Sequence, residues 1–184
     1  MKNIPSVDLN DFLSNDIDKK KAFVSKLGKA YNEIGFVALK GHFLDDNDIK
    51  EVYSSIKEFF DLPEEIKAKY ELDGFDGQRG YTSFGKEHAK GKKHGDLKEF
   101  WHFGQYLDDD EYTKYNYPKN QIVSELPKFN NIGKKVFQSL EKTAIYVLRA
   151  ISLYLDLEED HFDKYVKKGN SILRPIHYLS LIHI

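Results

Sequence analysis

Cysteine is absent from this chain of 184 residues, and methionine and tryptophan occur only once each. A disulfide scaffold and a thiolate metal site are therefore both excluded. An excess of one charge is also lacking, because 28 Lys and Arg residues nearly balance 30 Asp and Glu residues, giving a net charge of −2. Such a chain has no basic field that would attract nucleic acid or anionic lipid. Its lysine-rich stretches, 19–21 and 86–93, are typical of solvated surfaces.

Long apolar runs are missing as well. The first residues, MKNIPSVDLNDF, contain no continuous apolar stretch of signal-peptide length, and no later run approaches the roughly 20 residues that a transmembrane helix needs. No G-x-x-x-x-G-K-S/T, G-x-G-x-x-G or G-x-S-x-G motif occurs, which excludes the P-loop, dinucleotide-binding and hydrolase functions based on them. We therefore expect a cytoplasmic protein that binds neither nucleic acid nor a membrane.

Hydrophobic periodicity predicts alternating helices and strands. Asp16 and Asp18 are candidate N-caps of the first long helix, and Gly35 is its expected stop. An apolar stripe from Phe129 to Leu155 predicts a helix roughly 40 Å long. The expected order is strand 4–9, helix to about 34, strand 36–40, helix from 45 or 46 to 60, helix from 62, strands 81–84 and 100–106, polar loop 108–118, long helix 129–155, short helix 158–167 and strand 171–178.

Six segments of the chain, taken in their order along the sequence, carry a family resemblance: IPSVDL, EIGFVALKGH, FFDLPEEIKAKY, GYTSFGKEHAKG, DLKEFWHFG and SILRPIHY. Together they resemble the N-terminal region of the isopenicillin N synthase-like branch of the Fe(II)/2-oxoglutarate dioxygenases. The resemblance implies an α+β fold, in which a helical N-terminal layer carries short strands of an incomplete double-stranded β-helix, or jelly roll. It also implies a non-haem dioxygenase N-terminal domain over 1–120 and a connection to the jelly roll over 121–178.

The resemblance implies Fe(II) and 2-oxoglutarate as cofactors of the complete enzyme, which would hydroxylate, desaturate or cyclise a small molecule. We expect neither cofactor to be bound by these 184 residues, and we expect them to be inactive alone. The family usually continues after the matching tyrosine with two prolines, whereas here Tyr178 is followed by LSLIHI. We therefore interpret 179–184 as an atypical tail on a truncated chain.

One literal His-x-Asp, the pattern of the family's iron-binding strand, occurs at His161-Phe162-Asp163. We predict that it does not bind iron, because the surrounding LEEDHFDKYV is typical of a capped helix. On a helix, residues two apart point in nearly opposite directions and cannot chelate one ion.

A second group of possible ligands occupies the glycine-rich segment 80–105, which contains His88, His94 and His102. Three imidazoles with the nearby carboxylates of Glu87, Asp96 and Glu99 could hold zinc. Their uneven spacing favours loop and strand residues over ligands, so a small metal-binding protein is the weaker alternative.

Two residues are candidates for substrate binding. Arg79 precedes a predicted strand, and a guanidinium there can hold a carboxylate bidentately; it resembles the family's arginine that approaches the substrate's carboxylate. Tyr178 resembles the tyrosine that lines the family's pocket and donates a hydrogen bond to the bound acid. We interpret Arg174 as an ion-pairing or packing residue, and Lys98 and Glu99 as a structural charge pair.

A second class of function is a non-catalytic interaction module that keeps the oxygenase's outer layer. The downstream coding sequence distinguishes the two, because a later His-x-Asp, and a distant His before Arg-x-Ser, would indicate the enzyme.

Overall fold

The computed structural model describes residues 3–74, 77–87 and 95–178. In chain order its elements are β1 (Ser6–Asp8), α1 (Leu9–Leu13), α2 (Ile17–Glu33), β2 (Ala38–Lys40), α3 (Asp46–Phe60), α4 (Glu64–Lys67) with a 3-10 turn (Ala68–Tyr70), β3 (Gly80–Thr82), β4 (Lys98–Gly104), α5 (Asp109–Tyr115), α6 (Pro127–Tyr154), α7 (Asp163–Val166), β5 (Ile172–Leu173) and β6 (Ile176–Tyr178). Across these ranges, none of the helices combines the length and apolarity needed to span a bilayer.

The predicted helices and strands are largely confirmed, and the N-cap of α2 is the predicted one. The Asp16 carboxylate accepts hydrogen bonds from the backbone N–H groups of Asp18 and Lys19 at 3.0 and 3.1 Å. Two short helices were not expected. α1 is capped by Asp8 and follows β1 without a break, and α5 lies where the sequence predicted a polar loop.

Helix α5 is held in place by its one buried side chain, Tyr112. The sequence predicted a loop because the residues around Tyr112 are polar. The Tyr112 hydroxyl donates to the Gln105 carbonyl oxygen at 2.9 Å. Asn116 then ends the helix in the left-handed conformation, with φ 54°, which asparagine tolerates better than most residues.

The chain divides into two compact units. The first consists of Met1–Asp45 and Gln138–Gly169. In it, β1 and β2 pair in parallel, with Val7 opposite Leu39. Its buried core contains Val7, Leu9, Phe12, Phe23, Leu27 and Ala150. Gly28 lets the α6 residue Tyr154 pack closely, because a Cβ at position 28 would lie 2.1 Å from that ring.

The second unit consists of Asp46–Phe137 and Asn170–Ile184, and its core is aromatic. Phe59 lies at its centre, with ring-centroid distances of 4.8 Å to Trp101 and 4.9 Å to Phe129. These distances are those of stacked and edge-to-face pairs, which add stability beyond the area they bury. The predicted division at residue 120 follows the family resemblance rather than these units and remains a prediction.

Strand β4 is the centre of the sheet in this unit. β3 pairs with one of its edges, and β5 and β6 pair with the other, all antiparallel. The predicted strand 171–178 is divided into β5 and β6 by Arg174 and Pro175, because proline has no N–H to donate to a ladder. The Pro175 carbonyl oxygen still accepts from the Trp101 N–H at 3.1 Å, so the two pieces follow one line.

Alternation along β4 gives the sheet two different faces. Glu99, Trp101 and Phe103 project toward the aromatic core, and Lys98, Phe100, His102 and Gly104 project to the other side. The predicted Lys98–Glu99 charge pair is therefore wrong, since neighbours on a strand point to opposite faces. Lys98 pairs with the carboxylates of Glu87 and Asp96 instead, at 2.6 and 3.0 Å.

The Glu99 carboxylate is buried and fully engaged. One oxygen accepts from the Lys67 ammonium at 2.6 Å and from the Tyr81 hydroxyl at 2.5 Å. The other lies 2.8 Å from Nδ1 of His177 on β6. Burial and this bond to a carboxylate raise the pKa of Tyr81 and keep its hydroxyl protonated as a donor. Three segments of the chain thus meet at one side chain.

We predict that Glu99→Gln lowers the free energy of unfolding by about 3–5 kcal/mol, because it leaves the Lys67 ammonium buried without a counter-charge. Urea unfolding followed by circular dichroism at pH 7 measures the loss. The matched control is Asp61→Asn, which breaks an exposed ion pair with Lys57 and should leave stability nearly unchanged. Equal effects of the two substitutions would show that the buried pair contributes nothing special.

Candidate functional site

The candidate site is the face of the sheet that points away from the aromatic core, which we call the site face. It comprises Arg79, Lys98, Phe100, His102, Gly104, Arg174, Ile176 and Tyr178. Cross-strand partners share a face, so Tyr178 lies beside Lys98 and Ile176 beside Phe100. The sheet therefore brings both predicted substrate-binding residues, Arg79 and Tyr178, to one side.

Arg79 is completely buried at one end of the site face. Its guanidinium lies directly on Gly104, where any Cβ would approach within 1.8 Å of Cζ. Nη1 donates to the Gln78 carbonyl oxygen at 2.7 Å and Nη2 to Oδ1 of Asn170 at 2.6 Å, whereas Nε has no partner. Burial lowers the pKa of Arg79, and within the described ranges no carboxylate pairs with it.

His102 is neutral, and its tautomer follows from its partners. Nδ1 contacts the carbonyl oxygen of Gly77, which can only accept, so Nδ1 carries the hydrogen. Nε2 is then an acceptor, and the Nε–H of Arg174 donates to it. Burial lowers the pKa of His102 to about 4, assisted by the positive charge of Arg174. This ring connects β4 both to the segment before β3 and to the junction of β5 and β6.

Arg174 lies across the middle of the site face. Its guanidinium is 4.4 Å from the centre of the Phe100 ring, a cation–π distance, and Nη1 is 3.4 Å from a Glu87 oxygen. The Lys98 ammonium, in a hydrogen bond to Glu87, is the main cause of the lowered pKa of that carboxyl. The interpretation of Arg174 as an ion-pairing and packing residue agrees with these contacts.

Tyr178, at the end of β6, is the exposed member of the site face. Its side chain is 63% exposed, and Ile176, two residues earlier, is 40% exposed. Among the described residues, none forms a hydrogen bond with the Tyr178 hydroxyl. Its predicted role in substrate binding stays a prediction.

The group of possible metal ligands in 80–105 is only partly within the described residues, because His88 and His94 lie outside them. Of the remainder, His102 has both ring nitrogens engaged. Glu99 lies on the opposite face and is bound to Lys67, so it cannot share an ion with His102. In the ranges that the structure describes, no three acidic or histidine side chains converge as an iron site would require.

The His161-Phe162-Asp163 pattern lies at the start of α7 rather than within the helix predicted over 158–167. His161 is in a turn, so the helical argument against chelation does not apply there. The carboxylate of the pattern, that of Asp163, nevertheless already has a partner. Arg149 donates to it from Nη2 at 2.5 Å and from Nε at 3.2 Å. This hydrogen-bonded cation lowers the pKa of Asp163.

The pairing of His102 with Arg174 was missed from the sequence. The alternation in DLKEFWHFG would have placed His102 and Gly104 on one face, but the register that brings Arg174 across from β5 and β6 is a long-range property. Gly104 carried the clearest unused signal, since a strand glycine often marks a close approach of another group.

Comparison with known proteins supports the family. The sequence model described as non-haem dioxygenase in morphine synthesis N-terminal matches residues 4–125. A 1-aminocyclopropane-1-carboxylate oxidase of Dictyostelium mucoroides is 29% identical over 190 aligned residues, which cover 100% of this chain and 49% of that protein.

Solved structures show the same fold. A putative 2OG-Fe(II) oxygenase family protein from Caulobacter crescentus is 36% identical with a TM-score of 0.83, over 97% of this chain and 57% of that one. A full-length Neurospora crassa protein in complex with alpha-KG is 25% identical with a TM-score of 0.77, over 95% and 51%. The chain thus spans about half the length of the relatives it matches. By the match over 4–125, it belongs to the non-haem dioxygenase family, of which it contains the N-terminal region.

Proposed function

We propose that this chain is the N-terminal part of an Fe(II)- and 2-oxoglutarate-dependent oxygenase that oxidises a small molecule, and that the site face forms one wall of the substrate pocket. The observation that carries the proposal is the two-faced sheet: helices and aromatic residues cover one side, and cationic and hydroxyl side chains share the other. The longer protein would close the jelly roll over this wall.

The described residues do not fit an iron site, so no chemical step is assigned to them. Their proposed part is to bind and orient the substrate. Tyr178 would donate a hydrogen bond from its exposed hydroxyl to a bound acid. Arg79 would hold a carboxylate, because its Nε is an unused donor and its charge has no carboxylate partner in the described part of the chain. Asn170 would have to give way for a ligand to reach it.

The relatives' names point to different small molecules. Their names include an oxidase of 1-aminocyclopropane-1-carboxylate and a proline hydroxylase, and one solved relative holds thymine. The proposal includes a cytoplasmic location and a small-molecule partner rather than nucleic acid or a membrane.

The test is to extend the reading frame past codon 184 in the source genome and to purify the protein it encodes. We expect a His-x-Asp and a later His before an Arg-x-Ser, and we expect succinate release that requires both Fe(II) and 2-oxoglutarate. Alanine at the first of those histidines is the matched control and should abolish succinate release. An extended frame without these ligands, or a protein that does not bind 2-oxoglutarate, would favour the interaction module.

The neutral state of His102 predicts a pH dependence of stability. The pKa is about 4 in the folded chain and about 6.5 in an unfolded one, so the unfolded chain binds the extra proton first. This contribution to stability is complete above pH 6.5 and is lost as the pH falls from 6.5 to 4. Allowing for solvent screening, we expect a loss of about 1–2 kcal/mol.

Urea unfolding gives the free energy of unfolding at pH 7 and at pH 4.5. The contribution of His102 is the amount by which the loss between these pH values is larger in the unmodified chain than in His102→Asn. The asparagine amide can still donate to the Gly77 carbonyl oxygen but does not titrate. His161→Asn makes the same substitution at another histidine and serves as the control for replacing an imidazole by an amide. If His102→Asn keeps the pH dependence of the unmodified chain, the His102 ring is not the group responsible.

A further inference from the structure

The Arg174 guanidinium is held on three sides and open on the fourth. Its Nε donates to His102, its flat face lies on Phe100 at 4.4 Å, and Nη1 points to Glu87. Nη2 has no acceptor in the described part of the chain, and the side chain is 36% exposed. A guanidinium fixed in this way loses little rotamer freedom when a ligand arrives, which favours binding.

The negative charge near Arg174 is largely committed elsewhere. Glu87 lies 3.4 Å from Arg174 but 2.6 Å from the Lys98 ammonium, which also pairs with Asp96. Among the described residues of the site face and the carboxylates that pair with them, the cations Arg79, Arg174 and Lys98 outnumber the carboxylates of Glu87 and Asp96 by one. A ligand with a single negative charge would balance this difference.

The surface next to Arg174 is apolar. Ile176 and Tyr178 follow on the same face and are 40% and 63% exposed. At about 3.4 Å per residue, they lie roughly 7 and 14 Å along the strand from Arg174. An acid whose carboxylate binds Nη2 could therefore extend an apolar body across Ile176 toward the tyrosine ring.

Arg79 and Arg174 differ in exposure, and this difference indicates which of the two a ligand can reach directly. Arg79 is completely buried, with Asn170 and Gln78 already bound to it, whereas Arg174 presents a free donor at the surface. From this geometry we propose that Arg174 is a specificity-determining residue that binds the carboxylate of an apolar acid on the site face. This inference rests on the proposed function of that face as the wall of a substrate pocket.

The test uses the chain of 184 residues and needs neither iron nor turnover. Benzoate, its uncharged analogue benzamide and inorganic phosphate are titrated separately, and the side-chain Nε–H signal of Arg174 and the amides of β6 are followed by ¹H–¹⁵N NMR. We expect saturable shifts with benzoate, and affinity at least about tenfold weaker for benzamide and for phosphate.

Arg174→Gln should weaken benzoate binding about tenfold, and Arg174→Lys should restore part of it, because the charge is kept while the fixed donor geometry is lost. Arg149→Gln, the same substitution at an arginine that pairs with Asp163 and is not part of the site face, should bind benzoate as the unmodified chain does. Amide spectra of each variant verify that the sheet is intact. Absence of benzoate binding, equal binding of benzamide, equal binding of phosphate, or unchanged binding in Arg174→Gln would each overturn the proposal.

The two proposals fail separately. If the chain binds benzoate through Arg174 but the extended gene product releases no succinate, the oxygenase proposal is refuted and the carboxylate site at Arg174 still stands. An active extended product whose chain shows no benzoate binding would refute the site alone.

Discussion

The Glu99 carboxylate is 1% exposed, so both of its oxygens need hydrogen-bond donors from the protein. These donors come from three other parts of the chain. Lys67 is the last residue of α4, Tyr81 belongs to β3 and His177 to β6, so the Glu99 side chain connects three elements that pack around β4. The desolvation of two charges is costly, and only this complete set of hydrogen bonds offsets it. A polar centre within an aromatic core also has one acceptable arrangement, whereas aromatic packing alone could be satisfied in several registers.

The strict alternation of β4 transmits that constraint to the other side of the sheet. Because Glu99, Trp101 and Phe103 are committed to the core, Phe100, His102 and Gly104 must face away from it. There, His102 fixes Arg174, and Gly104 leaves room for Arg79. The site face is therefore a consequence of the same strand that builds the core, and its cations are positioned before any ligand is present.

Much of the fold could be predicted from local sequence, and most of the site could not. Caps and three- to four-residue spacing determine α2, α3 and α6 because those signals are local. Helix α5 was missed because its only packing residue, Tyr112, stands in a run of acids and polar residues. Family resemblance correctly indicated the dioxygenase N-terminal region, whereas the burial of Arg79 and its hydrogen bond to Asn170 depend on residues 91 positions apart.

The central claim is that Glu99, through His177, holds β6 against β4 and so positions the site face. Hydrogen exchange at the amides of Ile176–Tyr178 and of Trp101, which donates to Pro175, tests it most directly. His177→Ala removes that link and leaves the Lys67–Glu99 pair in place. We expect exchange at these amides to become about tenfold faster, with little change at Phe59 and Phe129 in the core. Unchanged exchange in β6 would contradict the account.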